Sequence, residues 1–448
     1  MKIDHASVYH SYTVGRWDNG FVFSSLAIDS RSVTQGTLFA AHKGLTVDAH
    51  IYINAAVAAG AQAIIAEYEP HDFTGTVPML ITDDVPRTLL DICSQLRHAR
   101  PEQYIVAVTG SNGKTTTKDI CAHILSAHSA TGSTQGNLNT EWGVPCSYIN
   151  NYDKDTVVLE MGMDHPGDIG RLARAVKPNV GIVTTIAPVH MEFMHSIEAI
   201  YEGKTELFAF VREEGLKLAN GDNEWLQHVK EHYPDTELFG QSDTVTHRFS
   251  YTRIETDFTE FTYNKKRYRL PLWGDFNVYN AIPAVIIALR VGLSAETIQK
   301  ALSTLKVSPK RAEVHTLQGK ILINDTYNAS PNAMLEALRN CARYGDKRVA
   351  LCLGDMLELG VESGSFHREV LKTALDTGAD VYCVGQEFFA LRDDFSEFKF
   401  YMDKEECIRD MERAMVNYDV MFFKGSRGMR MEDVFTRIKE KVSCFTIS

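Results

Sequence analysis

No stretch of the 448 residues approaches the roughly 18 to 20 consecutive apolar residues of a membrane span, and the opening MKIDHASVYHSYTVGRWDNG has no apolar leader segment. A membrane protein is not expected, and the chain reads as cytoplasmic. A basic excess is missing too. The formal net charge is -12, whereas a surface that grips a nucleic-acid backbone carries clustered lysine and arginine. A nucleic-acid partner is therefore not expected, but anionic small molecules are not excluded, because local lysines and metal ions reverse the sign inside a cleft. Eight cysteines are scattered with no C-x-x-C pair, which signals neither a disulfide framework nor a zinc site. Several, such as Cys352 in VALCLGD, fall inside apolar runs and read as small buried residues. Tandem repeats and low-complexity tracts are also absent.

What is present is the composition of an ordinary globular protein, 44% hydrophobic and 23% charged, with a length that suggests about three domains. Short apolar runs alternate with segments of helical period, the pattern of α/β units around mostly parallel sheets. AQAIIAE and PMLITDD read as strands and HIYINAAVAAGA as a helix. The polar SQLRHARPEQ then marks a boundary near residue 98. Beyond it YIVAV, TVVLEMG and VGIVTTI read as buried strands, each ending in polar residues where α/β folds place ligands. After VSPKRAEVH the pattern restarts with KILINDTYN, RVALCLGD, DVYCVGQ and DVMFFKGS, a second boundary near residue 312. The expected domains are 1–98, 99–312 and 313–448.

VTGSNGKTTTKD follows the first central strand and resembles a phosphate-binding loop in which Val108 stands where the first glycine of G-x-x-x-x-G-K-[ST] should be. Gly110 and Gly113 let backbone N–H groups of the loop, with Ser111 and Asn112 between them, close around oxygens. Lys114 adds a charge at a helix start, Thr115 can ligate Mg²⁺, and Thr116 follows. A plain glycine turn leaves that lysine and those threonines unexplained, so nucleotide binding is the expectation. Glu160 closes the next strand, where a carboxylate can complete a Mg²⁺ shell. His190 lies at the tip of the strand after that, and Lys204 and Glu206 in YEGKTELF read as sitting at a helix start, the lysine on a solvated face. Asn277 and Asn280 precede an apolar helix, where asparagine commonly serves as a cap.

In order and spacing, VTGSNGKTTTKD, NLNTEWGVP, LEMGMDHPGDI, TIAPVHME, GKTEL, NVYNA, NDTYNASP, LGDMLELG and KGSRGMRME resemble the Mur ligase family of cell-wall enzymes. DSRSVTQGTLFAAHKGLTVDAH, near the start, is similar to that family's nucleotide-sugar segment. The resemblance covers nearly the whole chain and implies a smaller N-terminal α/β domain for the UDP-sugar, a central P-loop ATPase domain and a C-terminal Rossmann-like domain. It implies a cytoplasmic, ADP-forming ligase of peptidoglycan biosynthesis, of the type that joins D-alanyl-D-alanine to UDP-N-acetylmuramoyl tripeptide through an acyl phosphate, acting as a monomer. Relatives with the same chemistry, which add the tripeptide's third residue or glutamates to folate, are the rival readings, as is a nucleotide-binding protein without catalysis.

The resemblance also implies residue roles. Lys114 and the loop Gly110 to Thr116 would hold ATP phosphates, while Thr115 and Glu160 would bind one Mg²⁺. His190 would bind a second ion with Lys204, if that lysine is carbamylated. Asn277 and Asn280 would lie near adenine or ribose, with Arg311 at the phosphates. Asp325, Tyr327 and Asn328 would close over ATP and the dipeptide. Asp29, Ser30, Arg31, Lys43, Asp48 and His50 would serve the UDP part, and Asn137, Asn139 and Thr140 the peptide. Four positions depart from the family pattern: Ala49 for glycine, Thr140 for asparagine with bulky Trp142 beside it, and Phe276 for histidine.

Overall fold

The computed structural model describes residues 1–3, 21–44, 47–189 and 191–444. Three larger sheets follow one another along the chain. The first pairs Ser25–Ala27, Thr37–Ala40, Ala61–Ala66 and Met79–Ile81 in chain order, all parallel. The second has nine strands. From one edge, Thr131–Ser133, Thr156–Glu160, Tyr104–Thr109, Val180–Val183, Leu216–Asn220, Glu237–Gly240 and His247–Ile254 run parallel, and Thr259–Tyr263 and Lys266–Leu270 add an antiparallel border. The third sheet runs Glu313–Leu317, Lys320–Asp325, Val420–Lys424, Val349–Gly354, Asp380–Val384 and Lys399–Tyr401, parallel except at its first pair. The α/β expectation with mostly parallel sheets holds.

Strand Tyr104–Thr109 is apolar on both faces because both are covered. Ile105 and Ala107 pack with helices Val85–Ala99, Asp168–Val176 and Ile197–Ala209, while Val106 and Val108 pack with helices Lys114–Leu125 and Phe276–Arg290. This strand is also where the sheet order reverses, since the chain leaves it for the far edge, returns beside it, and continues on its other side. The crevice at the carboxyl end of such a strand is where open α/β sheets bind ligands.

The antiparallel border was not anticipated. Its strands are covered on one side, with Phe249 buried edge-on to Phe261 and Phe261 stacked on Tyr268 while neighbours face water, so the signal is alternation rather than a continuous apolar run. Among the described residues, no helix is long and apolar enough to cross a membrane. Seven cysteines are buried and free, among them Cys352, whose apolar run suggested burial, and Cys444 is exposed.

Candidate active site

The loop after Tyr104–Thr109 is shaped by two glycines in the left-handed half of backbone space. Gly110 has φ +143°, and a Cβ there would meet Thr184 Oγ1 at 1.9 Å. Gly113 has φ +82°, and a Cβ would meet Asn280 Oδ1 at 2.1 Å. Val108, where a third glycine was missing, is fully buried within the strand and takes no part in the turn. Helix Lys114–Leu125 begins at Gly113 with no side-chain cap, which leaves the first-turn N–H groups available to an anion. Ser111 ties the loop to the next strand's exit: its Oγ donates to Ala187 O and accepts from Ala187 N–H, both at 2.9 Å.

Lys114 turns back on the loop, its Nζ donating to Gly110 O at 2.8 Å and Ser111 O at 3.2 Å. Burial lowers the pKa of this half-buried ammonium, against the nearby charge of Glu160. Glu160 is the last residue of its strand and is buried with both oxygens engaged. Thr115 Oγ1 donates to Oε2 at 2.7 Å, and Asn139 Nδ2 donates to Oε1 at 2.8 Å. Arg311 donates to Thr115 Oγ1 at 2.8 Å and lies over the Tyr327 ring at 4.0 Å, while its buried Nε has no partner. One carboxylate and one hydroxyl in contact, beside an open phosphate loop, fit Mg²⁺, which takes few protein oxygens and completes its shell with phosphates and water.

Lys204 corrects the sequence reading. It sits in the middle of helix Ile197–Ala209, whose start is set seven residues earlier by the Ser196 side chain accepting from Ala199 N–H at 3.1 Å. It is 1% exposed rather than on a solvated face, and burial, then the Lys114 charge, holds its pKa well below the ordinary range. No hydrogen bond or ion pair reaches its Nζ among the described residues. His190 lies outside the described residues. Asn277 and Asn280 are not caps either. Both are buried inside the first two turns of Phe276–Arg290, where Asn277 donates to Trp273 O at 2.7 Å and Asn280 donates to Asn277 Oδ1 at 2.9 Å.

The third sheet closes the far wall. Ser330 Oγ donates to Asn112 Oδ1 at 2.9 Å, directly from the start of helix Pro331–Cys341 to the phosphate loop. Asp325 pairs with Lys424 at 2.5 Å and accepts from Ala312 N–H at 3.1 Å. Asn328 uses its Oδ1 on Ala329 N–H at 2.9 Å and its carbonyl on Lys424. A cleft of about 1110 Å³ results, lined by Ser111 to Thr116, Asn137, Asn139, Thr140, Glu160, Lys204, Asn277, Asn280, Arg311, Asp325, Tyr327 and Asn328. Lys424, Arg427 and Glu336 were missed as wall residues, and Ser330 as the contact that ties the third sheet to the phosphate loop. Ser-Pro at a helix start was the readable signal for Ser330, whereas the others lie on elements whose facing no local pattern reveals.

Asp29, Ser30, Arg31, Lys43, Asp48 and His50 do not line this cleft. They lie in loops of the first sheet, and their side chains largely hold one another. Arg31 pairs with Asp29 at 2.6 Å. Asp48 accepts from His50 N–H at 3.0 Å, pairs with His50 Nδ1 at 2.7 Å and takes the Tyr68 hydroxyl at 2.5 Å. His50 is buried, stacks on Tyr68 at 3.9 Å, and accepts from Glu67 N–H at its other nitrogen. That arrangement leaves Nε2 as the acceptor and Nδ1 as the nitrogen that donates to Asp48. Lys43 donates its N–H to Glu67 Oε2 at 2.9 Å. Of the departures, Ala49 opens the short helix Ala49–Tyr52 without left-handed backbone, so no glycine is required there. Trp142 and Phe276 line the cleft, and Trp142 stacks on His42 of the first sheet's loops at 4.0 Å.

A phosphate loop at the switch strand, a carboxylate–hydroxyl pair beside it and a far wall supplied by a third sheet define a mononucleotide-binding α/β enzyme. Family models for the Mur ligase catalytic, middle and glutamate ligase domains match residues 22–88, 108–288 and 310–427. The UDP-N-acetylmuramoyl-tripeptide–D-alanyl-D-alanine ligase of Escherichia coli is 31% identical over 94% of both chains. MurF from Acinetobacter baumannii superposes with a TM-score of 0.88 at 25% identity, over 98% of this chain and 99% of that one. MurF from Thermotoga maritima in complex with ADP gives 0.81 at 27% identity, over 93% and 97%. The chain belongs to the Mur ligase family.

Proposed function

We propose that this protein joins the amine of D-alanyl-D-alanine to the terminal carboxylate of UDP-N-acetylmuramoyl tripeptide, converting ATP to ADP and phosphate. The observation that carries the reading is the convergence of Lys114, Thr115, Asn139, Glu160 and Arg311 at one end of a single cleft, in a chain similar along its length to ligases of that name. The roles follow from chemistry. A carboxylate is a poor electrophile, so its oxygen attacks the γ-phosphorus, ADP leaves, and an acyl phosphate forms. The dipeptide amine then attacks the acyl carbon, and phosphate departs with the former carboxylate oxygen as the amide forms and the amine loses a proton.

Positioning and charge neutralisation carry such a reaction. Lys114 exchanges its two loop carbonyls for phosphate oxygens, the uncapped helix start adds N–H donors, and Arg311 supplies a second cation. Thr115 and Glu160 would hold one Mg²⁺, which neutralises phosphate charge when bound, while Asn139 fixes the carboxylate's rotation. A second ion falls to His190 with Lys204. A desolvated lysine is the nucleophilic free amine that adds CO₂, and the resulting carbamate offers hard oxygens. Asn277, Asn280, Asp325 and Tyr327 serve the nucleotide. Asn137, Thr140 and Asn328 face the peptides, and Gly110, Asp29, Ser30, Arg31, Lys43, Asp48 and His50 shape the phosphate and UDP loops. The domains are taken as 1–98, 99–312 and 313–448, in a cytoplasmic monomer.

Phosphate release from ATP and Mg²⁺, with each peptide alone and then both, tests the reading. Release that needs both, with a pentapeptide product by mass spectrometry, is expected; release indifferent to the peptides contradicts it. Lys204→Ala should lose turnover and recover part of it with added short carboxylic acids, and no recovery counts against the carbamate.

A further inference from the structure

Glu336 lies on helix Pro331–Cys341, one face of which borders the cleft through Asn332, Ala333 and Glu336. The helix is anchored at both ends. At its start Ser330 touches Asn112 of the phosphate loop at 2.9 Å. Near its end Asn340 Nδ2 donates to Asp275 Oδ1 at 3.0 Å, Asn340 Oδ1 accepts from Asp275 N–H at 3.2 Å, and Arg343 pairs with Asp275 at 2.5 Å. Glu336 lies six positions beyond Ser330, which is about 9 Å at 1.5 Å per residue. That is about the span from the phosphates of a mononucleotide to its base. Phe276, a flat apolar ring packed on the same core as this helix, also lines the cleft, next to Asn277, whose amide is already tied to Trp273 and Asn280.

Glu336 is exposed and lines the cleft, and no hydrogen bond or ion pair reaches its carboxylate among the described residues. An uncommitted carboxyl at the base end of a nucleotide cleft needs a donor. We propose that Glu336 reads the nucleotide base, accepting a hydrogen bond from the exocyclic amine of adenine and repelling the carbonyl oxygen that guanine presents in its place. This rests on the cleft holding a nucleotide with its phosphates at Gly110 to Thr116, and adds which base it prefers and which residue selects it. Crowding by protein, and then the Asp275 charge, push the Glu336 carboxyl up to about 7, against the opposing charges of Arg339 on its own helix and Lys424 on the adjoining strand. The Tyr251 hydroxyl also lies close enough to be raised by the Glu336 charge. Only the carboxylate repels guanine, so the preference for adenine grows as pH rises through neutrality.

The test is competition binding of ATP, GTP and ITP to the full-length protein with Mg²⁺, alongside kcat/KM for each nucleotide in the ligation assay. Glu336→Ala should lower the ATP-to-GTP preference by about tenfold or more, mainly by weakening ATP. Glu336→Gln, whose amide can turn either group to the base, should lower it mainly by strengthening GTP, and should remove the rise in preference between about pH 6 and 8 seen in the unsubstituted protein. An ATP-to-GTP ratio equal in all three proteins overturns this inference alone. Failure of the unsubstituted protein to bind any of the three nucleotides overturns both this inference and the reading beneath it.

Discussion

At the phosphate loop, backbone geometry is held open: two glycines occupy conformations and spaces that no side chain fits, a helix starts without a cap, and Lys114 rests on carbonyls it can leave. In the loops of the first sheet the polar groups are closed on themselves, with Asp48, His50 and Tyr68 bonding and stacking in a ring and Arg31 held by Asp29. Both regions carry residues that the sequence marks for substrate. The first presents uncommitted donors to a ligand, whereas the second uses its marked side chains to fix the shape of a loop, so a change in one should alter chemistry and a change in the other stability.

The largest effect is expected from Lys114→Ala, which removes the loop's only ammonium and should cut kcat by on the order of 10²- to 10³-fold with little change in thermal stability. Unchanged phosphate release would place the phosphates elsewhere. Next comes Gly113→Ala. Its Cβ collides with Asn280 Oδ1 and its φ of +82° is strained for alanine, so ATP affinity should fall and the fold lose about 1–3 kcal/mol. Calorimetric titration and urea unfolding read the two effects separately.

Asp48→Asn tests the closed region. It should leave kcat within about twofold while costing about 1 kcal/mol in urea unfolding, because a charge-assisted network is weakened but is partly exposed. The Tyr68 hydroxyl, followed by the His50 backbone and ring, holds the Asp48 carboxyl at about 2. Its folded pKa is depressed, so its contribution is complete above the ordinary carboxylate value of about 3.9 and fades as pH falls towards 2. The asparagine variant should lack that part of the acid sensitivity. The smallest effect belongs to Arg31→Ala, which breaks an exposed ion pair screened by solvent and should leave urea unfolding almost unchanged. If it instead raised KM for the UDP substrate strongly without touching stability, the first-sheet loops would be contact surfaces and the contrast between the regions would narrow.

The loop was legible because its requirements are local. Glycine spacing, a lysine and a threonine-rich helix start occupy consecutive positions after an apolar strand, and nothing distant needs to be known. Glu160 was legible for a similar reason, since a carboxylate ending a buried strand has few other uses. The local pattern alone put Lys204 at a helix start on a solvated face, because a buried lysine has the same local pattern as a solvated one until the packing is known; only the family resemblance pointed to the cleft, which it lines. Asn277 and Asn280 misled in the opposite way, as asparagines near a helix start commonly cap it, and here they bond each other inside it. Glu336 and Lys424 were invisible because their meaning depends on how the third sheet faces the second, which involves residues more than 200 positions apart, such as Asn112 and Ser330.

The most direct test of ATP-driven joining in this cleft follows oxygen. Tripeptide substrate labelled with ¹⁸O in its terminal carboxylate, incubated with the protein, ATP, Mg²⁺ and D-alanyl-D-alanine, should release phosphate carrying one labelled oxygen for each peptide bond formed. Unlabelled phosphate alongside pentapeptide would contradict attack of the carboxylate on the γ-phosphorus, and with it the roles given to Lys114, Thr115 and Glu160.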